Sequence, residues 1–213
     1  SVPWPPGEPL PSTGPIPLER EPDASLEVMS IARHRRKLPV GALAGNDFRL
    51  TLRDLEASAD ALQARVVRIA RHGVPNYFGP QRFGRDGDNL LRARQWFAGE
   101  HRPRSRNDRS MLLSAARAAV FNAVLDTRVQ AGDWRRAEPG EILMLDGRGS
   151  VFLADAADAP HNVRRAAGLR VHPTGPLPGR PGRGLGLPAP LAARENRVMQ
   201  DWADLVEGLS DQG

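Results

Sequence analysis

No cysteine occurs among the 213 residues, which excludes disulfides and thiolate metal sites. That composition fits a reducing cytoplasm, where the protein is expected. Lysine is nearly absent: Lys37 is the only one, and every other basic side chain is arginine. Aromatic residues make up 5% of the chain, so each can be weighed singly. No apolar run is long enough to span a bilayer. His34, His72, His101, His161 and His172 fall into no H-x-x-x-H or H-E-x-x-H arrangement, and no carboxylate cluster with ligand spacing stands near them. No metal site is expected. There is no G-x-S-x-G elbow, and the glycine-rich stretch 179–186 lacks both a Walker lysine and a strand–glycine–helix setting. It reads as a flexible loop, and no cofactor is expected. The start, Ser1-Val2-Pro3-Trp4-Pro5-Pro6, has neither a basic n-region nor an apolar h-region. It reads as a chain entered in the middle rather than as a signal peptide.

What is present is positive charge and enough apolar matter for a core. Basic residues outnumber acidic ones by 30 to 25, and 40% of the residues are hydrophobic. Arginine's planar fork suits phosphates and stacks on bases, so the composition is compatible with a nucleic-acid partner. Arginine-biased coding would produce the same composition.

Residues 1–22 are rich in proline and glycine and read as an extended connection, neither helix nor strand. Residues 25–31 read as a strand. Phe48, Leu50 and Leu52 alternate with Arg49, Thr51 and Arg53, the pattern of a half-buried strand. Ser58 as N-cap and Gly73 as C′ residue bracket a predicted helix over 59–72. Asp86 or Asp88 is expected to cap a second helix ending at Gly99, and Asn107 or Asp108 a long one reaching about residue 131. Residues 141–145 and 150–154 flank Asp146-Gly147-Arg148-Gly149 and predict a hairpin. After a Gly/Pro-rich loop over 173–190, one final helix is expected over 191–209. The character of the chain changes near residue 73, from alternating to mainly helical periodicity, and a domain boundary is expected there.

Two regions suit nucleic acid. The run Arg33-His34-Arg35-Arg36-Lys37 can hold a phosphate backbone or be a solvated loop. Tyr77, Phe78 and Phe83 lie close to Arg82 and Arg85, an interleaving that suits base stacking with phosphate contact. Phe78 and Phe83 are equally well explained as a plug packing the loop down. Asn46 can meet a pyrimidine edge or hold a turn, and Phe48 can stack on a base or face a core.

Four segments together resemble the TruD family of tRNA pseudouridine synthases. Residues 33–48, from Arg33-His34 through Lys37-Leu38 to Gly45-Asn46-Asp47-Phe48, are similar to its R-H-x-x-K-L-x-x-G-x-L-x-G-N-x-F motif. Gly73-Val74-Pro75-Asn76-Tyr77-Phe78-Gly79-Pro80-Gln81-Arg82-Phe83-Gly84 is similar to its G-V-P-N-Y-F-G-x-Q-R-F-G motif. Leu113-Ser114-Ala115-Ala116-Arg117 to Phe121-Asn122 resembles an L-S-A-x-R-x-x-x-F-N helix, and residues 172–179 a further loop of the same family. They occur in family order and spacing.

The resemblance implies an α+β protein. Residues 1–72 would be part of a pseudouridine-synthase catalytic sheet domain, with 1–22 as its Pro-rich connection. Residues 73–213 would be a mainly helical TRUD insertion domain with a β-hairpin. It implies an isomerase that converts a tRNA uridine, commonly at position 13, to pseudouridine without cofactor or metal. The partner would be tRNA, with no membrane involved. The uridine would leave the stack and enter a pocket. Asn46 would bind the uridine or order the pocket, and Phe48 would stack on the base at roughly 1–3 kcal/mol. Arg33, His34, Arg35, Arg36, Lys37, Arg82 and Arg85 would contact RNA. The family's nucleophilic aspartate lies in a G-x-K-D motif ahead of the region resembling residue 1, and no G-x-K-D occurs in this chain. No catalytic residue is therefore assigned within it. The chain alone is expected to be inactive, and a non-catalytic RNA-binding role is the alternative.

Overall fold

A computed structural model describes residues 7–9, 13–17, 25–28, 31, 33, 47–179, 187 and 189–212. Contacts divide the chain into two units, Ser1–Asp54 and Leu55–Gly213.

In the first unit, strand β1 (Gly14–Pro17) pairs antiparallel with β2 (Ser25–Val28), with Pro15 opposite Glu27 and Pro17 opposite Ser25. The expectation of no strand within 1–22 is corrected here. A two-stranded ribbon tolerates proline because each strand has a free edge. Two prolines spaced two residues apart direct their missing donors to the same edge. The strand expected over 48–53 is also corrected. Residues 47–53 adopt no regular structure, and Phe48, Leu50 and Leu52 are exposed. Alternation yields a half-buried strand only where a neighbouring strand and a covering layer exist.

The second unit begins with helix α1 (Ala59–His72), capped by the Ser58 hydroxyl accepting from the Ala61 N–H at 3.2 Å and ended by Gly73 at φ 71°. Two short 3₁₀ turns, Pro80–Phe83 and Arg85–Gly87, lead into helix α2 (Asp88–Phe97). The N-cap of α2 is Gly87, with no side-chain cap, rather than Asp86 or Asp88. Helix α3 (Arg106–Ala131) is capped by Ser105, not by Asn107 or Asp108, and stops at Gly132 in the left-handed region. Asp108 lies in the first turn. There it accepts from the Arg104 N–H at 2.8 Å and from Arg92, and those hydrogen bonds lower its pKa.

The expected hairpin forms as β3 (Ile142–Leu145) with β4 (Val151–Leu153). Helix α4 (Ala159–Ala167) follows, and β5 (Val171–Pro173) pairs with the other side of β3. The single helix expected over 191–209 is two, α5 (Ala189–Gln200) and α6 (Ala203–Gln212), broken at Asp201 and Trp202.

Two apolar clusters hold this unit together. One joins α2, α3 and α6 through Ala93, Leu112, Ala116, Val120, Leu205 and Leu209. The alanines of α3 bring its neighbours close. So does Gly208, where a Cβ would stand 2.2 Å from Cγ of Phe97. The other joins the three-stranded sheet to α4 through Leu143, Ala154, Ala166 and Val171.

A buried ion network links α3, the sheet and α5. Arg128 donates to Oε1 of Glu141 at 2.5 Å and to the carbonyls of Asp133 and Arg136. Glu141 also accepts from the Glu138 N–H at 2.9 Å, and Arg194 donates to Asp133 at 2.9 Å. Each charge is matched, as burial requires.

Candidate nucleic-acid interface

Helix α3 presents Ser114, Arg117, Phe121, Asn122 and Asp126 at helical spacing on one face. That face receives the loop 73–84. The Phe78 N–H donates to Oδ1 of Asn122 at 2.9 Å, and Nδ2 of Asn122 donates to the Phe78 carbonyl at 2.9 Å. One side-chain amide thus replaces a strand partner for the loop backbone. One turn on, the Tyr77 hydroxyl donates to Oδ1 of Asp126 at 3.1 Å. Partial burial, and then this carboxylate, raise the Tyr77 pKa, so the ring stays neutral.

The Phe78 ring packs edge-on against Phe121, with centroids 5.3 Å apart. The Arg82 guanidinium lies over Phe78 at 5.4 Å, and its Nη1 donates to the Ser114 hydroxyl at 2.9 Å. Phe83 packs against the apolar cluster of α2, α3 and α6. Phe78 and Phe83 therefore serve as the packing plug, while Tyr77, Arg82 and Arg85 stay exposed.

The loop after β5 closes on the same helix face. Arg117 donates through Nε to the Pro178 carbonyl at 3.0 Å. A Cβ at Gly175 would come within 2.8 Å of the Phe121 ring, and one at Gly179 within 2.9 Å of Arg117. Glycine is required at 175 for this close approach to a packed ring, whereas at 179 the flexible head of Arg117 can give way. Three of the four segments singled out in the sequence thus meet along α3. The result is a platform whose loop backbones are hydrogen-bonded to α3, with a polar, cationic surface at Arg82 and Arg85.

The fourth segment belongs to the other unit. His34, Arg35, Arg36, Lys37 and Asn46 lie outside the described residues. Arg33 is exposed and donates to the Glu8 carbonyl. Phe48 is 80% exposed, an aromatic face open to water.

In the sequence the α3 motif stands out without a role for Arg117, Phe121, Asn122 or Asp126. The usable signal was polar residues at helical spacing on the 114-117-121-122 face. The partner of Tyr77 left no signal at all, because 49 residues separate it from Asp126.

Among the described residues no group of histidine, aspartate or glutamate could hold a metal ion, and no helix is long and apolar enough to cross a membrane. Beside the platform is a cavity of about 310 Å³ lined by Glu141, Thr174, Gly175, Arg194 and Glu195, among others. Burial pushes the Glu195 carboxyl up to about 6, against the opposing pull of Arg128 and Arg194.

Residues 18–93 match the family model described as tRNA pseudouridine synthase D (TruD). A relative from Nitrosococcus oceani, named tRNA pseudouridine synthase D, is 46% identical over 192 residues, which is 89% of this chain and 52% of the relative. A relative of the same name from Methylococcus capsulatus is 49% identical over 156 residues, 73% of this chain and 44% of the relative. The chain spans about half the length of the curated relatives it matches. A crystal structure from Methanosarcina mazei, described as a tRNA pseudouridine synthase D, superposes with a TM-score of 0.60 at 20% identity. It covers 87% of this chain and 59% of that one, and it shares the α+β fold.

Proposed function

We propose that the chain is part of a TruD-family enzyme and takes part in isomerising a tRNA uridine to pseudouridine. The observation that carries this reading is the 46% identity extending over 89% of the chain. Supporting it, three motif segments form one built surface rather than scattering over the fold.

The reaction breaks the bond between N1 of the uracil and C1′ of the ribose. The base turns, a C5–C1′ bond forms, and the hydrogen on C5 is released. In this reading residues 1–72 are a portion of the catalytic domain and residues 73–213 the insertion domain. Phe48 stacks on the displaced base, and Asn46 meets its polar edge or orders the pocket. Arg33, His34, Arg35, Arg36 and Lys37 hold backbone phosphates, as do Arg82 and Arg85. Arg82 is already tethered to Ser114 and stacked on Phe78, so it loses little freedom on binding. The nucleophile comes from a G-x-K-D motif that residues 1–213 do not contain.

The test is tritium release from tRNA carrying 5-tritiated uridine, alongside filter binding at several salt concentrations. With residues 1–213 as the only protein, the expected result is binding that weakens steeply with salt, without release. Release at a catalytic rate would place a nucleophile inside the chain. Absence of salt-dependent binding would remove the RNA reading.

A further inference from the structure

Helix α1 has no buried residue, although its sequence is strongly two-faced. Leu62, Val66, Ile69 and Ala70 recur at helical spacing and form one apolar stripe, while Arg65, Arg68 and Arg71 lie off it. Val66 is 58% and Ile69 46% exposed, and Val74, just beyond the helix, is 58% exposed. Among the described residues, the side-chain contacts that moor the helix lie near its C-terminal end. There His72 accepts a hydrogen bond from Arg135 at 2.9 Å, and a Cβ built on Gly73 would meet the Leu169 side chain at 3.4 Å and the Trp134 ring at 3.9 Å. A helix of 14 residues is marginal in water without packing on its apolar face. A contiguous stripe of exposed aliphatic side chains marks a surface awaiting cover.

What covers it follows from the length comparison. The family match over residues 18–93 includes α1 whole, and the relatives carry about as much polypeptide again outside the shared span. We propose that the apolar stripe of α1 is the docking surface for that remaining polypeptide of the TruD chain, and not for RNA or for a second copy. Val66 and Ile69 are its centre, and Arg65 is at its rim. This rests on the family reading above but is tested without any measurement of activity.

The chain has no cysteine, so a single thiol reports on one position. Val66→Cys in residues 1–213 should react with a maleimide as a free thiol, as should Arg148→Cys in the exposed β3–β4 turn. In the full-length Nitrosococcus oceani relative, cysteine at the position aligned with Val66 should react at least about tenfold more slowly, while the position aligned with Arg148 stays fast. Rates are read peptide by peptide in a mass spectrometer. As a second measurement, tagged residues 1–213 are co-expressed with the relative's residues outside the shared span. Capture of that polypeptide should fall about tenfold with Ile69→Glu, a substitution on an exposed site that should leave the melting temperature unchanged. Equal labelling at the Val66 position in both proteins would overturn the proposal. Slow labelling of Val66→Cys in residues 1–213 alone would also overturn it. If that slowing grew with concentration, the cover would be a second copy; if not, it would be residues 1–54 of the same chain.

Discussion

Asn122 holds both polar groups of the Phe78 backbone with one amide, and few side chains can do that. Asn122→Ala should lower stability by about 1–3 kcal/mol, because two hydrogen bonds are lost and the loop groups are left half-buried. Asn122→Asp keeps the acceptor and loses the donor. It should retain protection of the Phe78 amide in hydrogen exchange while destabilising the chain, an outcome alanine cannot give. The buried pair Arg128–Glu141 predicts a larger effect. Glu141→Ala leaves Arg128 and Arg194 to share the Asp133 carboxylate and should cost about 3 kcal/mol in urea unfolding. Glu195 gives the opposite sign. Its carboxyl titrates near 6 in the fold against an ordinary 4.5, so the folded state binds the extra proton in that interval. The stability this contributes is complete below pH 4.5, declines as pH rises, and is gone above about 6. The loss is about 1 kcal/mol once discounted for the part of the group that faces water. Glu195→Gln should flatten that decline in melting temperature measured from pH 4.5 to 7.

At the scale of elements, contact distance matters as much as helix propensity. Helix α6 reaches α2 only because residue 208 is glycine, with Phe97 occupying the space a side chain would need. Gly208→Ala gains helix propensity yet should destabilise the chain by about 1–3 kcal/mol through overpacking. Combining it with Phe97→Leu should recover part of the loss, since a smaller neighbour can give way. A failure to recover would point to backbone displacement rather than a clash of side chains. Helix α3 organises the rest: one face carries the alanines of the core, and the other carries the side chains that hold the loops 73–84 and 172–179.

At the scale of the molecule, both buried apolar clusters belong to the unit Leu55–Gly213. The stretch 47–58 ahead of α1 has no regular structure, and Arg49 and Arg53 are exposed within it. Brief trypsin treatment should therefore cut first after Arg49 or Arg53, giving products that begin at Leu50 or Asp54, before it cuts within α2, α3 or α6. Earlier loss of the C-terminal helices would show that the apolar clusters do not hold this unit together.

What the sequence determined by itself was local or carried by long motifs. Ser58 and Gly73 marked α1 to the residue, and Gly132 marked the end of α3, because caps and left-handed residues act within one turn. The β3–β4 hairpin was legible for the same reason. The resemblance over residues 33–179 was readable because a motif such as 73–84 is specific at nearly every position. Tertiary structure alone decided the rest. The alternation at 48–52 promised a strand, but pairing partners and a covering layer are not properties of the segment itself. Proline-rich residues 14–17 became a strand because their partner offered a matching edge. The clasp of Asn122 on Phe78 and the tether of Tyr77 to Asp126 join residues more than forty positions apart. Such contacts depend on where the packed core places α3, and no local pattern encodes that.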